Sequence, residues 1–354
     1  MKSNYEKLGK YIQVVDERNA NDIRYELLGV SVDKCFIKSI ANTVGTDWRS
    51  YKIIKKGQFC YIPDTSRRGD KIGIALLKEC SVALVSQAYT VFKIVNEDRL
   101  LPEYLNLWFK RSEFDRYARF HSHGSVREIF DWDEMCNVEL PIPEIEEQVK
   151  IVNAYNAIEH RIALKRRIND NLAAQISTIY TNQKGDKSFV VSDECRIFTG
   201  KKDVNQATST GRYKFFSCSP SYLYSDDYIY DGKAVLVAGN GSYTGRTTFV
   251  DEKFDLYQRT YGIVPKDSRN DSIIYLVYAA MAAEFVKKTK ESLHGSAIPY
   301  IVYNDIANFE IYYSDNPTVI CDKISVLINA MIRNNTEINS LTELEEVLLC
   351  KMSD

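Results

Sequence analysis

The chain has 354 residues, 45% of them hydrophobic and 27% charged, with a formal net charge of −2. Such a length exceeds one ordinary core and fits two domains plus connecting elements. The near-neutral balance excludes a small, uniformly basic DNA-binding domain, and no apolar run approaches the ~18 residues of a membrane span.

The opening MKSNYEKLGKY lacks an apolar signal-peptide core, so a soluble, cytoplasmic protein is expected. Strand-like runs follow: FIKSIA (36–41), YKIIKKGQFCYI (51–62) and IGIALL (72–77). PDTSRRGDK (63–71) between the last two reads as a solvated, basic loop able to meet a DNA backbone. LPEYLNLWFKRSEFDRYARF (101–120) has apolar residues at helical spacing and leads into HSHGS (121–125). The pattern then recurs. RYKFFSC (212–218), DYIYDGKAVLVAG (227–239) and GRTTFV (245–250) read as strands, with Gly57 and Gly232 in matching turns. SIIYLVYAAMAAEFVKKTK (272–290) reads as helix and leads into LHGSA (293–297).

His123, Gly124 and Ser125 recur as His294, Gly295 and Ser296, an offset of 171. At that offset Tyr104-Leu105 falls on Tyr275-Leu276, Phe114 on Phe285 and Gln87 on Gln258. Arg116 and Arg119 fall on Lys287 and Lys290, Asn137 on Asn308 and Glu139 on Glu310. A domain-sized duplication is therefore expected, α+β in each copy, with strands first and helices after. Local basic clusters survive within the neutral total: Lys110, Arg111, Arg116, Arg119 and Arg127 around the first His-Gly-Ser, and Lys287, Lys288 and Lys290 before the second.

Each copy is followed by a heptad-type segment of about 35 residues, on the order of 50 Å of helix. The first seam runs Ile151, Tyr155, Ile158, Ile162, Lys165, Asn169, Leu172, Ile176 and Ile179. The second runs Ile320, Ile324, Leu327, Met331, Asn334, Ile338, Leu341 and Leu348. An inward Asn fixes register and partner, so Asn169 and Asn334 suggest two helices matched to each other, rather than each packing on its own domain.

Catalytic readings fare poorly. GNGSYTG (239–245) has no GK[ST] after it, so a P-loop is not expected. NPTV (316–319) lacks the second Pro and the aromatic residue of an amino-methyltransferase motif, and instead places Pro317 in the first turn of a helix. Pro63-Asp64 opens like a metal-dependent nuclease core, but Lys78-Glu79 does not supply the converging carboxylates and lysine. A stand-alone nuclease with two DNA-binding lobes is the alternative function. Eight cysteines form no CxxC pair and there are four histidines, so reduced thiols and no metal site are expected. A histidine base would need a partner that also repeats, and none does.

The strings VVDERN, LGVSVDKCFI, TSRRGDKIGIAL, EYLNLWFKRSEFDRYARFHSHGSVREIFDW and LPIP with EEQ resemble the DNA-specificity subunit of type I restriction-modification systems. The resemblance spans the chain and is stronger in its first half. It implies a phage-defence protein with two target recognition domains, separated by two long antiparallel coiled-coil helices in a pseudo-two-fold repeat. The corresponding boundaries are 1–143 for the first recognition domain, 144–182 for the central spacer helix, 183–315 for the second domain and 316–354 for the C-terminal spacer helix. It also implies a non-catalytic chain that reads a bipartite, gapped sequence in double-stranded DNA. The partners would be two methyltransferase subunits and endonuclease/translocase subunits, which would carry the adenosylmethionine, ATP and Mg²⁺ needed for DNA methylation and cleavage. This chain would need no cofactor, metal or membrane.

Guanine is most often read by Arg or Lys and adenine by Asn or Gln. The candidate DNA contacts of the first domain are Arg67, Arg68, Lys71, Gln87, Tyr89, Arg119, His123 and Ser125. Those of the second are Asn240, Ser242, Tyr243, Arg246, Gln258, Arg259, His294 and Ser296.

Overall fold

A computed structural model describes residues 5–40, 45–66, 71–124, 127–270, 272–289 and 299–353. Strands β1 (Tyr5–Lys7), β2 (Ile12–Val15), β3 (Leu27–Val30), β4 (Phe36–Lys38), β5 (Lys52–Lys55), β6 (Phe59–Tyr61), β7 (Ile74–Leu76), β8 (Val82–Val85) and β9 (Thr90–Ile94) come first. Helices α1 (Pro102–Lys110), α2 (Ser112–Phe120) and α3 (Trp132–Asn137), strand β10 (Glu139–Pro141) and the long helix α4 (Ile145–Gln183) follow. The order then starts again with β11 (Lys187–Val190), α5 (Val191–Glu194), β12 (Cys195–Thr199), β13 (Tyr213–Phe216), β14 (Leu223–Ser225), β15 (Tyr230–Ala238), β16 (Thr247–Leu256) and β17 (Thr260–Pro265). Helix α6 (Ile273–Ala280), a π-helical stretch (Met281–Phe285), α7 (Val286–Thr289), α8 (Tyr303–Ala307), β18 (Glu310–Tyr313) and the long helix α9 (Pro317–Lys351) complete it. The class is α+β, as expected. The chain divides into two compact units, Met1–Ile162 with Asn339–Asp354, and Ala163–Ile338.

In the first unit two four-stranded sheets form, ordered β2-β9-β6-β7 and β4-β3-β8-β5. Aromatic side chains from strands and helices meet in the core: Phe59 stacks on Phe92 at 5.0 Å, and Phe109 meets Phe59 edge-on at 5.6 Å. The stretch 101–120 is two helices, not one. Arg111 takes ψ 140 between α1 and α2, is 4% exposed and lies over the Trp108 ring at 4.1 Å. Burying its stem and stacking its guanidinium favours the break although neither Gly nor Pro marks it.

The EEQ opening of α4 has a structural reason. Gln148 is fully buried; its Nε2 donates to the carbonyls of Arg99 (3.0 Å) and Pro143 (2.8 Å), and its Oε1 accepts from the Leu101 amide (2.9 Å). One side chain satisfies three backbone groups where the chain enters α1 and α4. The start of α4 and the end of α9 pack on this unit through Val152 and Tyr155 on one side, and Leu348, Leu349 and Met352 on the other.

The second unit is built on a six-stranded sheet ordered β12-β17-β15-β16-β13-β14. Helix α6 is buried over it almost along its whole length, from Ile274 to Ala280. Ile176 and Tyr180 of α4 share the core with Ile320, Ile324 and Ile328 of α9. Lys165 pairs with Glu337 at 2.8 Å and the Tyr180 hydroxyl accepts from the Tyr312 amide at 3.1 Å, so the two segments run antiparallel here. Asn334, 8% exposed, donates to Asn169 at 2.8 Å and accepts from Lys165 at 3.0 Å, while Asn169 donates to Asn335 at 2.8 Å. The inward asparagines are matched to each other, as their seam positions suggested. Asn334→Leu removes the hydrogen bonds to half-buried Asn169 and Lys165 and is expected to destabilise this unit by no more than about 1 kcal/mol, measured by denaturant unfolding.

The duplication extends to the elements. Tyr104-Leu105 and Tyr275-Leu276 lie buried in α1 and α6; Phe114 and Phe285 are both buried. Glu139 and Glu310 open β10 and β18, which pair antiparallel with β1 and β11. One expected equivalence fails. Gly57 sits in the β5–β6 turn with φ 85, but Gly232 lies inside β15 opposite Glu252, with φ 124. Its positive φ is a kink within a nine-residue strand, not a turn.

Candidate nucleic-acid interface

In the first unit, register places several candidates at one sheet end. Tyr61 pairs with Thr90 of β9 and with Ile74 of β7, so the chain after β6, before β7 and before β9 leaves from the same edge. Gln87 is exposed in the β8–β9 turn, held by Tyr89 N donating to Ser86 O at 3.1 Å. Tyr89 is half-buried against the adjoining core, and Lys71 is exposed, 3.9 Å from Asp33. The segment after β6 pairs with the His-Gly hairpin: Thr65 N donates to Glu128 O, and His123 and Ile129 exchange both backbone hydrogen bonds (3.1 and 3.0 Å). Gly124 has φ 143, and a Cβ there would collide with the Arg127 carbonyl oxygen. Glycine is thus required by the hairpin itself. Arg67, Arg68 and Ser125 lie outside the described residues.

The basic cluster around this hairpin is largely committed to the protein. Arg119 pairs with Glu128, Arg116 with Glu113, and Lys110 donates to Tyr155 (3.0 Å) and Glu159 (3.2 Å). Asp64 accepts from the Ser66 amide at 3.0 Å and so serves its own turn.

In the second unit the candidates gather around the β15–β16 loop. Asn240 accepts from the Cys218 thiol at 3.1 Å, Gly241 N donates to Pro299 O at 3.1 Å, and Ser242 and Tyr243 form the exposed tip. Arg246 anchors the loop: Nη2 donates to Ser219 O at 2.6 Å and Nη1 to Thr248 at 2.9 Å, and burial lowers its pKa. It therefore acts as a positioning residue.

The end of β16 would lie far from the start of β17 in a flat sheet, since β15 lies between them. A parallel bridge from Lys202 to Tyr257 brings the extension of β12 against the end of β16, and the turn 257–259 closes. That turn carries Gln258, whose Nε2 donates to Asp203 at 3.0 Å, and exposed Arg259, whose carbonyl accepts from Gly239 at 2.9 Å. Gly239, Gln258, Arg259, Tyr261 and Ile301 line a polar cavity of about 250 Å³. Exposed Ser219, Ser221 and Lys201 join this face and were missed; the SCSPS and GKKD loop signals could have found them. His294 and Ser296 lie outside the described residues.

Gln87 and Gln258 occupy equivalent places. Each sits in the turn before the strand, β9 or β17, that leads into the buried helix carrying the Tyr-Leu pair, α1 or α6. Two different sheets thus present the same residue type from the same point of their chain.

A family model for the type I restriction modification DNA specificity domain matches residues 7–174 and again residues 181–344. Both repeats are covered, and the chain belongs to that family. Over 149 residues it is 34% identical to the Type I restriction enzyme EcoDI specificity subunit of Escherichia coli, a match covering 40% of this chain and 31% of that relative. The match therefore spans about a third of the relative's length. The crystal structure of a type I restriction-modification system S subunit from M. genitalium shares the fold, with a TM-score of 0.55 and 13% identity, over 99% of this chain and 96% of that one. The nuclease alternative gives way to this membership. No helix among the described residues is long and apolar enough to cross a membrane.

Proposed function

We propose that this chain is the non-catalytic specificity subunit of a cytoplasmic type I restriction-modification complex, reading one half of a gapped DNA target with each recognition domain. The duplicated placement of Gln87 and Gln258 on loops at the sheet ends carries the reading, because base edges are read by side chains presented on fixed supports. Gln87, Asn240, Gln258 and Arg259 are the base readers. Lys71 is a phosphate contact, Arg119 becomes one by exchanging Glu128 for a phosphate, and Arg246 holds the second reading loop in shape. Residues 1–143 and 183–315 are the readers, and 144–182 and 316–354 the spacers. Two methyltransferase subunits and the endonuclease/translocase subunits supply adenosylmethionine, ATP and Mg²⁺ chemistry.

Titration of variants assembled with the methyltransferase subunits separates readers from anchors. Gln87→Ala is expected to lose about 1–3 kcal/mol on the cognate duplex and little on a scrambled one. Arg119→Ala is expected to weaken binding on both and to reduce the salt slope by about one. Equal loss on both duplexes for Gln87→Ala would make it a scaffold residue. An unchanged salt slope for Arg119→Ala would leave Arg119 only its pairing with Glu128.

A further inference from the structure

We propose that His121, His123 and Glu134 form a binding site for one divalent transition-metal ion, zinc foremost, in the first unit. One ligand atom from each lies within 4.8 Å of the others, and no other such trio occurs among the described residues. His121 Nδ1 is 3.0 Å from Glu134 Oε2. Tetrahedral zinc, with bonds of about 2.0–2.1 Å, spaces its donor atoms roughly 3.3 Å apart. The His121–Glu134 pair already has nearly that spacing, and exposed His123 closes the remainder by side-chain rotation. Two imidazoles with a carboxylate suit zinc and its first-row neighbours, not the all-oxygen preference of Mg²⁺ or Ca²⁺.

Each of the three ligands has a contact that places it. His121 caps α2 with its ring stacked on Tyr117 at 4.2 Å and edge-on to Phe120 at 5.2 Å. His123 is fixed by its paired backbone bonds to Ile129. Glu134 sits in the first turn of α3, where the Asp131 side chain accepts its amide proton at 2.8 Å. An ion would join the end of α2, the His-Gly hairpin and α3, bracing the hairpin beside the reading loops. With three protein ligands, the fourth position stays open to water or another oxygen donor.

Calorimetric titration of the untagged, metal-free, full-length chain with Zn²⁺ tests this. One equivalent binds, and the Co²⁺-loaded chain shows the intense visible bands of four-coordinate cobalt. His123→Ala and Glu134→Gln each weaken binding by more than the roughly 10–100-fold that loss of an outer-shell partner costs. His160→Ala, an exposed histidine on α4, leaves it unchanged. Unaltered metal-free melting curves show that the variants fold. No saturable binding of one equivalent, or binding retained in either His123→Ala or Glu134→Gln, overturns the site.

Discussion

Replacing residues 188–315 with the corresponding segment of a family relative of different specificity is expected to change one half of the recognised sequence and leave the other intact. The segment takes in the six-stranded sheet, its loops and α6 to α8, and it retains most of the β11–β18 pair that closes the domain. Its buried apolar supports outside the exchange are identifiable: Ile176 and Tyr180 of α4, and Ile320, Cys321, Ile324 and Ile328 of α9, with Ile179, Leu327, Met331 and Ile332 packed beside them. A chimaera that preserves them keeps its core. Each mismatched base pair costs about 1–3 kcal/mol, so three changed positions would lower affinity for the old half-site by roughly 3–9 kcal/mol. Binding-site selection on the assembled chimaera reads the outcome. Simultaneous change of both halves would contradict modular reading.

The largest stability effect is expected at Asp115. Its carboxylate pairs with Lys34 and accepts from the Ile72 amide at 3.0 Å, while Lys34 also donates to the Ile72 carbonyl at 2.7 Å. Both side chains are nearly inaccessible, at 6% and 11% exposure for Lys34 and Asp115. Burial pulls the Lys34 pKa below the usual lysine value, with Asp115 opposing that shift. Asp115→Ala leaves a buried cation without its partner, a loss of about 3–5 kcal/mol. For a unit of this size that is roughly a 10 °C fall in its thermal transition. Lys34→Met combined with Asp115→Leu removes both charges and is expected to recover most of the loss. Because the pair grips residue 72, the single variant also loosens Lys71 and should weaken DNA binding. A transition unmoved by Asp115→Ala would show that the pair carries no net stability.

Periodicity carried most of what was legible in the sequence. The heptad seams found α4 and α9, because a stripe repeated over many turns is hard to mistake, although buried Val152 and Ile328 lay off the stripe that was read. Three-residue strands such as β1 and β10 were invisible, since so short a run has no measurable alternation. The break at Arg111 was missed because its cause is tertiary: stacking on Trp108 and a hydrogen bond to Ser353 at 2.5 Å. For the same reason the basic cluster misled. Charge counted along the chain does not reveal that Lys110 and Arg111 turn inward. Gln87 and Gln258 emerged from the repeat offset, whereas His121 and Glu134 meet only once the His-Gly hairpin folds α3 back beside the end of α2.

Mapping the methylated bases in DNA exposed to the complete complex tests the central claim most directly. The account predicts one bipartite motif, two short specific half-sites separated by unspecified bases, and no methylation or cleavage by the isolated chain. A continuous motif, methylation without sequence preference, or DNA cleavage by this chain alone would contradict it.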